Sequence, residues 1–497
     1  MELQFSKNIC DCLRRVVWET KTEELTQEIR LTDGMPDVGR ILGAWGQLVI
    51  RSKEWRGNGM SLSGGITASV VYLSEEGETP HSVEIWIPFQ LKWDVPDSRR
   101  DGTMVVCCSI KGIDARSVSA RKLMARAVVS AAAEGLEPCS LDLYTPDQLP
   151  DDVQLLEHTY TLCLPKEAGE KVFVLDEELS FKGEHVEKVL TCCVHTEIID
   201  QKLMGDKAVF RGIGALHMLT LCSDGDVRAW DFEIPFSQYA ELDREYGSSA
   251  GLRLITAPTN LECELTHEGT VRVKAGLTGQ YVIYDDMSVT LVEDAFSPVR
   301  TVELQRCEID AAYVLDHKTE MLKVQQVIGE SGYDAVELQF MYSQPEVRGE
   351  KDAVTVACSG MFQLVDRGTD DLLRCETVSW SMDHTLCADE ETRVLALAEP
   401  TGKPQLRNTG EGAVAEQDML LNMMTISQKQ MNMVCGLVIG DPVELDADRP
   451  NLVVRRAGDN TLWDLAKAYG STVQAICQAN QLTNEPDSDM VLLIPMK

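Results

Sequence analysis

Asp33 and Asp37 stand four residues apart, a carboxylate pair of the kind that general acid and base catalysis uses. Gly34 and Pro36 lie between them and break any helix that would bring both side chains to one face, so the segment reads as a turn carrying exposed acids. Cys192, Cys193 and His195 have the chemistry of metal ligands. Neighbours along a strand point to opposite faces, however, so these three do not converge and no metal is expected. The 16 cysteines show no C-x-x-C spacing and read as reduced, mostly buried thiols. The eight histidines follow no motif, and G-x-S-x-G, H-E-x-x-H and glycine-rich phosphate loops are missing. The expectation is a non-enzymatic chain that needs no cofactor.

A different kind of site is legible near the C-terminus. Leu452 to Arg455 reads as a short strand, and Thr461 and Asp464 have the spacing of a capping box that opens a helix. Leu462, Leu465, Ala466 and Tyr469 recur at i, i+3, i+4 and i+7, and Gly470 supplies a left-handed stop. Ser471 or Thr472 caps a second helix with Val473, Ile476 and Cys477 on one face, and Met490 to Ile494 forms a closing strand ended by Pro495. The order strand, helix, helix, strand, with Gly458-Asp459, Thr461-Leu462-Trp463, Leu465-Ala466, Tyr469, Asn480-Gln481-Leu482 and Leu493-Ile494-Pro495, resembles a LysM domain over residues 451–497. That resemblance implies a shallow groove for N-acetylglucosamine polymers between two loops. Its candidate lining here is Gly458, Asp459, Asn460, Thr461, Leu462, Trp463, Asn480, Gln481 and Leu482. Two positions depart from the family: Asn460 is inserted before Thr461, and Asp489 stands where a glycine commonly precedes the last strand.

The rest of the chain must fold into several pieces, because 497 residues exceed the roughly 250–300 over which one core keeps growing. A composition of 44% hydrophobic and 25% charged residues is that of a folded protein. The formal charge of −34 repels phosphate backbones and anionic headgroups, which excludes nucleic acid as a partner class. Met1 to Arg15 lacks the apolar run of a secretory signal and no transmembrane stretch is legible, so a cytoplasmic location is expected.

One pattern recurs three times. Arg56-Gly57-Asn58-Gly59, a run to Tyr72, Glu75 to Glu78, and Val83 to Phe89 read as a hairpin that stops at Ile87-Pro88-Phe89. Gly205-Asp206-Lys207, Ala208 to Leu221, Ser223 to Asp226, and a stop at Ile234-Pro235-Phe236 repeat it. A fainter copy runs from Arg348 to Trp380 without the Ile-Pro-Phe. Arg121 to Ala133 is alanine-rich enough for a helix, yet its counterparts, Thr270 to Ala275 and Gln428 to Ile439, are strand-like, so it is read as strand. The expected fold is mainly β: three tandem antiparallel β-sandwich-like repeats at 1–140, 141–300 and 301–440, a linker at 441–450, and a small α+β domain at 451–497. Exposed strand edges offer a route to self-association.

Asp33-Gly34-Met35-Pro36-Asp37-Val38-Gly39-Arg40-Ile41-Leu42 is similar to the signature of the SPOCS (DUF3794) domain, here Asp33, Pro36, Asp37, Ile41 and Leu42. Asp294-Ala295-Phe296-Ser297-Pro298 resembles a second element of that family. Three such repeats with a LysM tail resemble the SipL/SpoVID family of spore-coat morphogenetic proteins. The resemblance implies a role in spore-coat assembly in the mother-cell cytoplasm at the forespore surface. It also implies that the LysM groove docks on a coat morphogenetic protein, a SpoIVA-like ATPase, in place of sugar. The alternative is a peptidoglycan-binding LysM protein.

Overall fold

The computed structural model describes residues 2–496 apart from 4, 76, 78, 97, 99–100, 267–268, 330–331, 351–352, 369–371, 388–391, 410–411 and 444–449. After a two-residue strand β1 (Glu2–Leu3), the chain writes one six-strand unit three times. The first comprises β2 (Phe5–Arg30), β3 (Val38–Arg56), β4 (Gly59–Ser74), β5 (Pro80–Asp94), β6 (Thr103–Ser119) and β7 (Lys122–Pro146). Its first, last and fifth strands form one antiparallel sheet, β2-β7-β6, and the middle three form a second, β3-β4-β5. The second comprises β8 (Gln154–Leu179), β9 (Val186–Met204), β10 (Lys207–Cys222), β11 (Val227–Glu241), β12 (Gly251–Leu265) and β13 (Val271–Phe296), paired in the same way.

In the third unit the second strand is broken in two. It comprises β14 (Arg300–Gly329), β15 (Asp334–Tyr342), β16 (Glu346–Glu350), β17 (Ala353–Arg367), β18 (Leu373–Cys387), β19 (Thr392–Thr409) and β20 (Gly412–Pro442). Both pieces, β15 and β16, pair with β17, and Pro345, which has no N–H to give a ladder, lies between them. The chain is thus mainly β, as the periodicity predicts. The ladders change over at 147–153 and 297–299. Of the expected linker, Asp441 and Pro442 belong to β20, and 444–449 lie outside the described residues.

The alanine-rich segment is strand, within β7. Leu123, Ala125, Ala127, Val129, Ala131 and Ala133 all show 0% exposure and face the large side chains of the other sheet, among them Ile66, Tyr72 and Trp93. Ala132, pointing the other way, is also buried, in a cluster shared with the other repeats. A strand covered on both faces and facing bulky partners has room only for small apolar residues, and this packing overrides the helical propensity of alanine.

The expected stops at Ile87-Pro88-Phe89 and Ile234-Pro235-Phe236 are not stops. β5 and β11 run straight through them, with Pro88 opposite Gly65 and Pro235 opposite Ile213. Both are edge strands of their sheets, where a missing N–H breaks no second ladder. The adjacent phenylalanines explain the pattern: the Phe89 ring covers Gly64 and the Phe236 ring covers Gly212, where an added Cβ would come within 2.7 Å and 2.6 Å of the ring.

Each repeat has its own core between its two sheets. Three further apolar clusters draw on all three repeats. One joins Cys12 and Leu141 to Leu162 and Leu291 and to Ile309 and Met433. Another joins Val105 and Leu136 to Ile255 and Val282 and to Leu397 and Ile426. The third joins Leu42 and Trp45 to Leu190 and Leu219 and to Val365. The sandwiches therefore pack side by side around a shared apolar seam. Buried amides cross it: Gln280 bonds both the N–H and the carbonyl of Val106, at 3.0 and 2.8 Å, and Gln47 accepts from the N–H of Val194 at 2.7 Å.

Candidate functional site

The C-terminal module consists of β21 (Leu452–Arg456), α1 (Leu462–Tyr469), α2 (Val473–Asn480) and β22 (Val491–Pro495), with β21 and β22 antiparallel. Thr461 begins α1 with a full capping box: its hydroxyl accepts from the Asp464 N–H at 3.1 Å, and Asp464 accepts from the Thr461 N–H at 3.1 Å. The Thr461 hydroxyl, which donates to the Asp464 carboxylate at 2.7 Å, and the Thr461 N–H together hold that carboxyl below its usual pKa. Gly470 takes the left-handed conformation at φ 57° and closes the helix. Leu462, Leu465, Ala466, Ile476, Leu492 and Ile494 form the module's core.

The two loops expected to flank the groove are hydrogen-bonded to each other. The Gly458 N–H donates to Ser488 at 2.9 Å, the Ala457 N–H to Met490 at 2.9 Å, and the Leu462 N–H to the Glu485 carboxylate at 2.9 Å. Asn460, the inserted residue, turns its amide back to the Ala457 carbonyl at 3.1 Å and tightens the turn. Asp489 is not in the left-handed region: among the described residues, Lys182 and Gln481 are the non-glycine residues with positive φ.

The nine candidate residues separate by what they touch. Gly458, Asp459, Asn460, Thr461 and Gln481 are exposed. Among the described residues the Asp459 carboxylate and the Gln481 amide make no side-chain hydrogen bond or ion pair. Leu462 is core, and Leu482 is half-buried against it. Asn480 is a clamp. Its amide donates to the carbonyls of Ile476 and Leu493, at 2.8 and 2.7 Å, and accepts from the Leu493 N–H at 2.8 Å. It thereby ties the end of α2 to the outer edge of β22, whose polar groups would otherwise lack partners.

Trp463 is turned toward the second repeat. It is 8% exposed, packed edge-to-face on Phe296 with ring centroids 4.8 Å apart, and its indole N–H donates to Asp294 at 2.9 Å. Lys467, one helical turn on, reaches the same carboxylate at 2.6 Å, and Arg306 approaches it from the body at 3.2 Å. Burial raises the Asp294 pKa, but hydrogen bonds from Lys467 and Trp463 outweigh it and hold the group below its ordinary value. Sequence reading set Asp294 and Phe296 apart as a motif and Trp463 as a groove residue. Their contact crosses 169 positions, and no local signal joins them.

The other motif, at 33–42, forms the corner between the two sheets of the first repeat. The Arg121 guanidinium donates to the carbonyls of Met35 and Thr32, at 2.7 and 2.6 Å, and to the Asp37 carboxylate at 2.8 Å. The Tyr72 hydroxyl donates to the Pro36 carbonyl at 3.2 Å. Asp33 is exposed and, among the described residues, makes no ion pair, whereas Asp37 is held by Arg121. Ile41 packs on the first repeat's core, and Leu42 is buried in the seam between repeats. Cys192 packs in the core of the second repeat whereas Cys193 faces the seam, the alternation expected of a strand.

Fold and site together describe a body of β repeats carrying a small two-helix module on its flank. Residues 456–495 match the LysM domain family, a non-catalytic binding module. No curated protein and no solved structure matches the chain. Among the described residues no helix is long and apolar enough to cross a membrane.

Proposed function

We propose that this chain is a spore-coat assembly protein whose LysM module docks on a coat morphogenetic partner of the SpoIVA-like ATPase class. One observation carries the reading. The α1 flank of the module is held against the second repeat by Asp294 and Phe296, while Asp459, Thr461 and Gln481 remain exposed. A scaffold needs its docking face presented in a set direction, and a tethered but undocked module would not give one. In this reading each six-strand unit is a SPOCS-like domain, with limits near 1–140, 141–300 and 301–440 and a linker at 441–450. The resemblance around Pro36 and Asp37 supports that assignment, and the mother-cell cytoplasm is the location it implies.

The second reading, an N-acetylglucosamine polymer in the same groove, draws on the LysM match and on the exposed side chains of Asp459 and Gln481. Replacing both by alanine touches no core contact. Co-purification from sporulating cells and retention on insoluble peptidoglycan are then compared for the native and doubly altered chains. Loss of a coat morphogenetic protein from the altered chain, with peptidoglycan retention equal in both, supports the first reading. Unchanged coat partners with loss of glycan retention alone overturn it.

A further inference from the structure

The surface that holds the LysM module occurs twice in the chain. Repeat 2 ends in Asp294-Ala295-Phe296-Ser297-Pro298 and repeat 1 in Asp142-Leu143-Tyr144-Thr145-Pro146: acid, spacer, aromatic, hydroxyl, proline. The ladders extend the match. In repeat 2, Asp294 pairs with Leu156 and Phe296 with Gln154. In repeat 1, Asp142 pairs with Ile9 and Tyr144 with Lys7. Directly opposed residues share a face, as do residues two apart, so Leu156, Asp294 and Phe296 correspond to Ile9, Asp142 and Tyr144.

The occupancy of the two surfaces differs. In repeat 2, Phe296 is buried beneath Trp463, Asp294 is bonded by Trp463 and Lys467, and Leu156 packs against the module's core. In repeat 1, Ile9 is 65% exposed, more than any other large hydrophobic side chain among the described residues, while Tyr144 is half-buried, packed on the cluster shared by the three repeats. Asp142 is held through one oxygen by Lys7 at 2.7 Å, and both side chains are 45% exposed. Lys7 thus stands to Asp142 as Arg306 stands to Asp294, beside a carboxylate that still has acceptor capacity. Repeat 3 has no such copy. Counting back from Pro442, Gly440 and Val438 replace the aromatic and the acid, and Val438 pairs with β1.

We propose that the Ile9, Asp142 and Tyr144 surface of repeat 1 is a second docking site for the LysM helix α1, filled by the module of another copy of this chain. The occupant follows from the contact already made within the chain: an indole and an ammonium one turn apart on α1 fit an acid, an aromatic and an aliphatic side chain on a strand pair. Each chain has one module and two such surfaces on different repeats. The intermolecular contact is therefore heterologous and joins chains head to tail, into closed rings or open chains according to whether the rotation between copies closes. The chain's own module is tethered close to repeat 2, at an effective concentration on the order of millimolar, so dilute protein favours the intramolecular dock. Assembly then grows with concentration or when that dock is weakened. This holds whether the groove takes protein or glycan.

Sedimentation velocity of the full chain tests it. Asp294→Lys sets like charges against each other at the intramolecular dock and leaves repeat 1 intact. The expected result is a shift from single chains to species of twice the mass and larger as concentration rises. Adding Ile9→Glu should return the protein to single chains, and so should Lys467→Glu, which restores an opposite-charge pair in the intramolecular dock. An Asp294→Lys chain that stays single at every concentration, or one whose association survives Ile9→Glu, overturns the proposal. A second measurement does not depend on that variant. A benzophenone amino acid at position 9 of the otherwise native chain, in a concentrated mixture of isotopically light and heavy protein, should crosslink between chains to the peptide containing Trp463. Capture of other peptides only overturns it equally.

Discussion

At the scale of single residues, Asn480 and Gln481 are neighbours with opposite tasks. Asn480 makes three hydrogen bonds that join α2 to β22. Asn480→Ala is expected to destabilise the module by about 1–3 kcal/mol, the cost of leaving such groups unpartnered. Hydrogen exchange confined to residues 451–497 would register it, and unchanged protection there would refute the clamp. Gln481 sits at φ 54° as the C-cap of α2, a conformation in which a side chain is strained and glycine is not. Gln481→Gly should therefore raise the module's stability by roughly 0.5–1 kcal/mol, read from the same exchange profile. If the Gln481 amide contacts a ligand, the same change weakens binding while it strengthens the fold. Asp464 and Asp294 have lowered pKa values, so their contributions are full above the ordinary carboxylate value of ~4 and fade as pH falls through the lowered ones.

At the scale of elements, the mid-strand prolines and the glycines beside them are separate devices. Pro88 lies on an edge strand, and Pro88→Val should shift the denaturation midpoint little, within about 0.5 kcal/mol, because no ladder bond depends on it. Gly64→Val behaves differently. Its Cβ would come 2.4 Å from the Val49 carbonyl and 2.7 Å from the Phe89 ring, and backbone on one side leaves it nowhere to move. A loss of about 1–3 kcal/mol is expected from overpacking of this kind, and more if the strand pairing shifts. Equal midpoints for the two variants would contradict this account of the repeat. Alternation, turn residues and caps placed the hairpin strands, the closing strand of each repeat and both helices in the sequence, but not the long opening strands such as β2, β8 and β14. The Ile-Pro-Phe segments were misread as stops, because a proline's effect depends on whether its strand has a neighbour on both sides.

At the scale of the whole molecule, buried charges lock the repeats together. Glu134, 1% exposed, lies between Arg15 at 2.6 Å and Arg253 from the second repeat. Glu134→Gln would leave two largely buried guanidiniums without a counter-charge, and a loss of about 3–5 kcal/mol is expected in chemical denaturation. His217 in repeat 2 is held at 2.7 Å by Asp231 and at 2.6 Å by Glu337 of repeat 3. Burial opposes its charge, but Glu337 and Asp231 prevail and raise its pKa to about 10. A raised histidine pKa stabilises fully below the unfolded value of ~6.5 and progressively less as pH climbs toward the folded value. The melting temperature of the native chain should therefore fall more between pH 6.5 and 10 than that of His217→Gln. Parallel curves would show that His217 does not carry this link.

The sequence by itself determined the mainly β class, the threefold recurrence of a hairpin pattern and the LysM match, since each rests on neighbours within a few positions. Alternation, caps and turn residues act locally, and a periodic pattern reports which face of an element is apolar. Tertiary structure alone decided what covers that face. Trp463, Asp294 and Phe296 were all visible as residues, yet whether the indole would face a groove or a strand depended on which ladder came alongside α1. The same holds for Ile9 and Leu156, matched positions of which one is covered and the other bare. Burial is a property of the assembled surface, and no spacing along the chain encodes it.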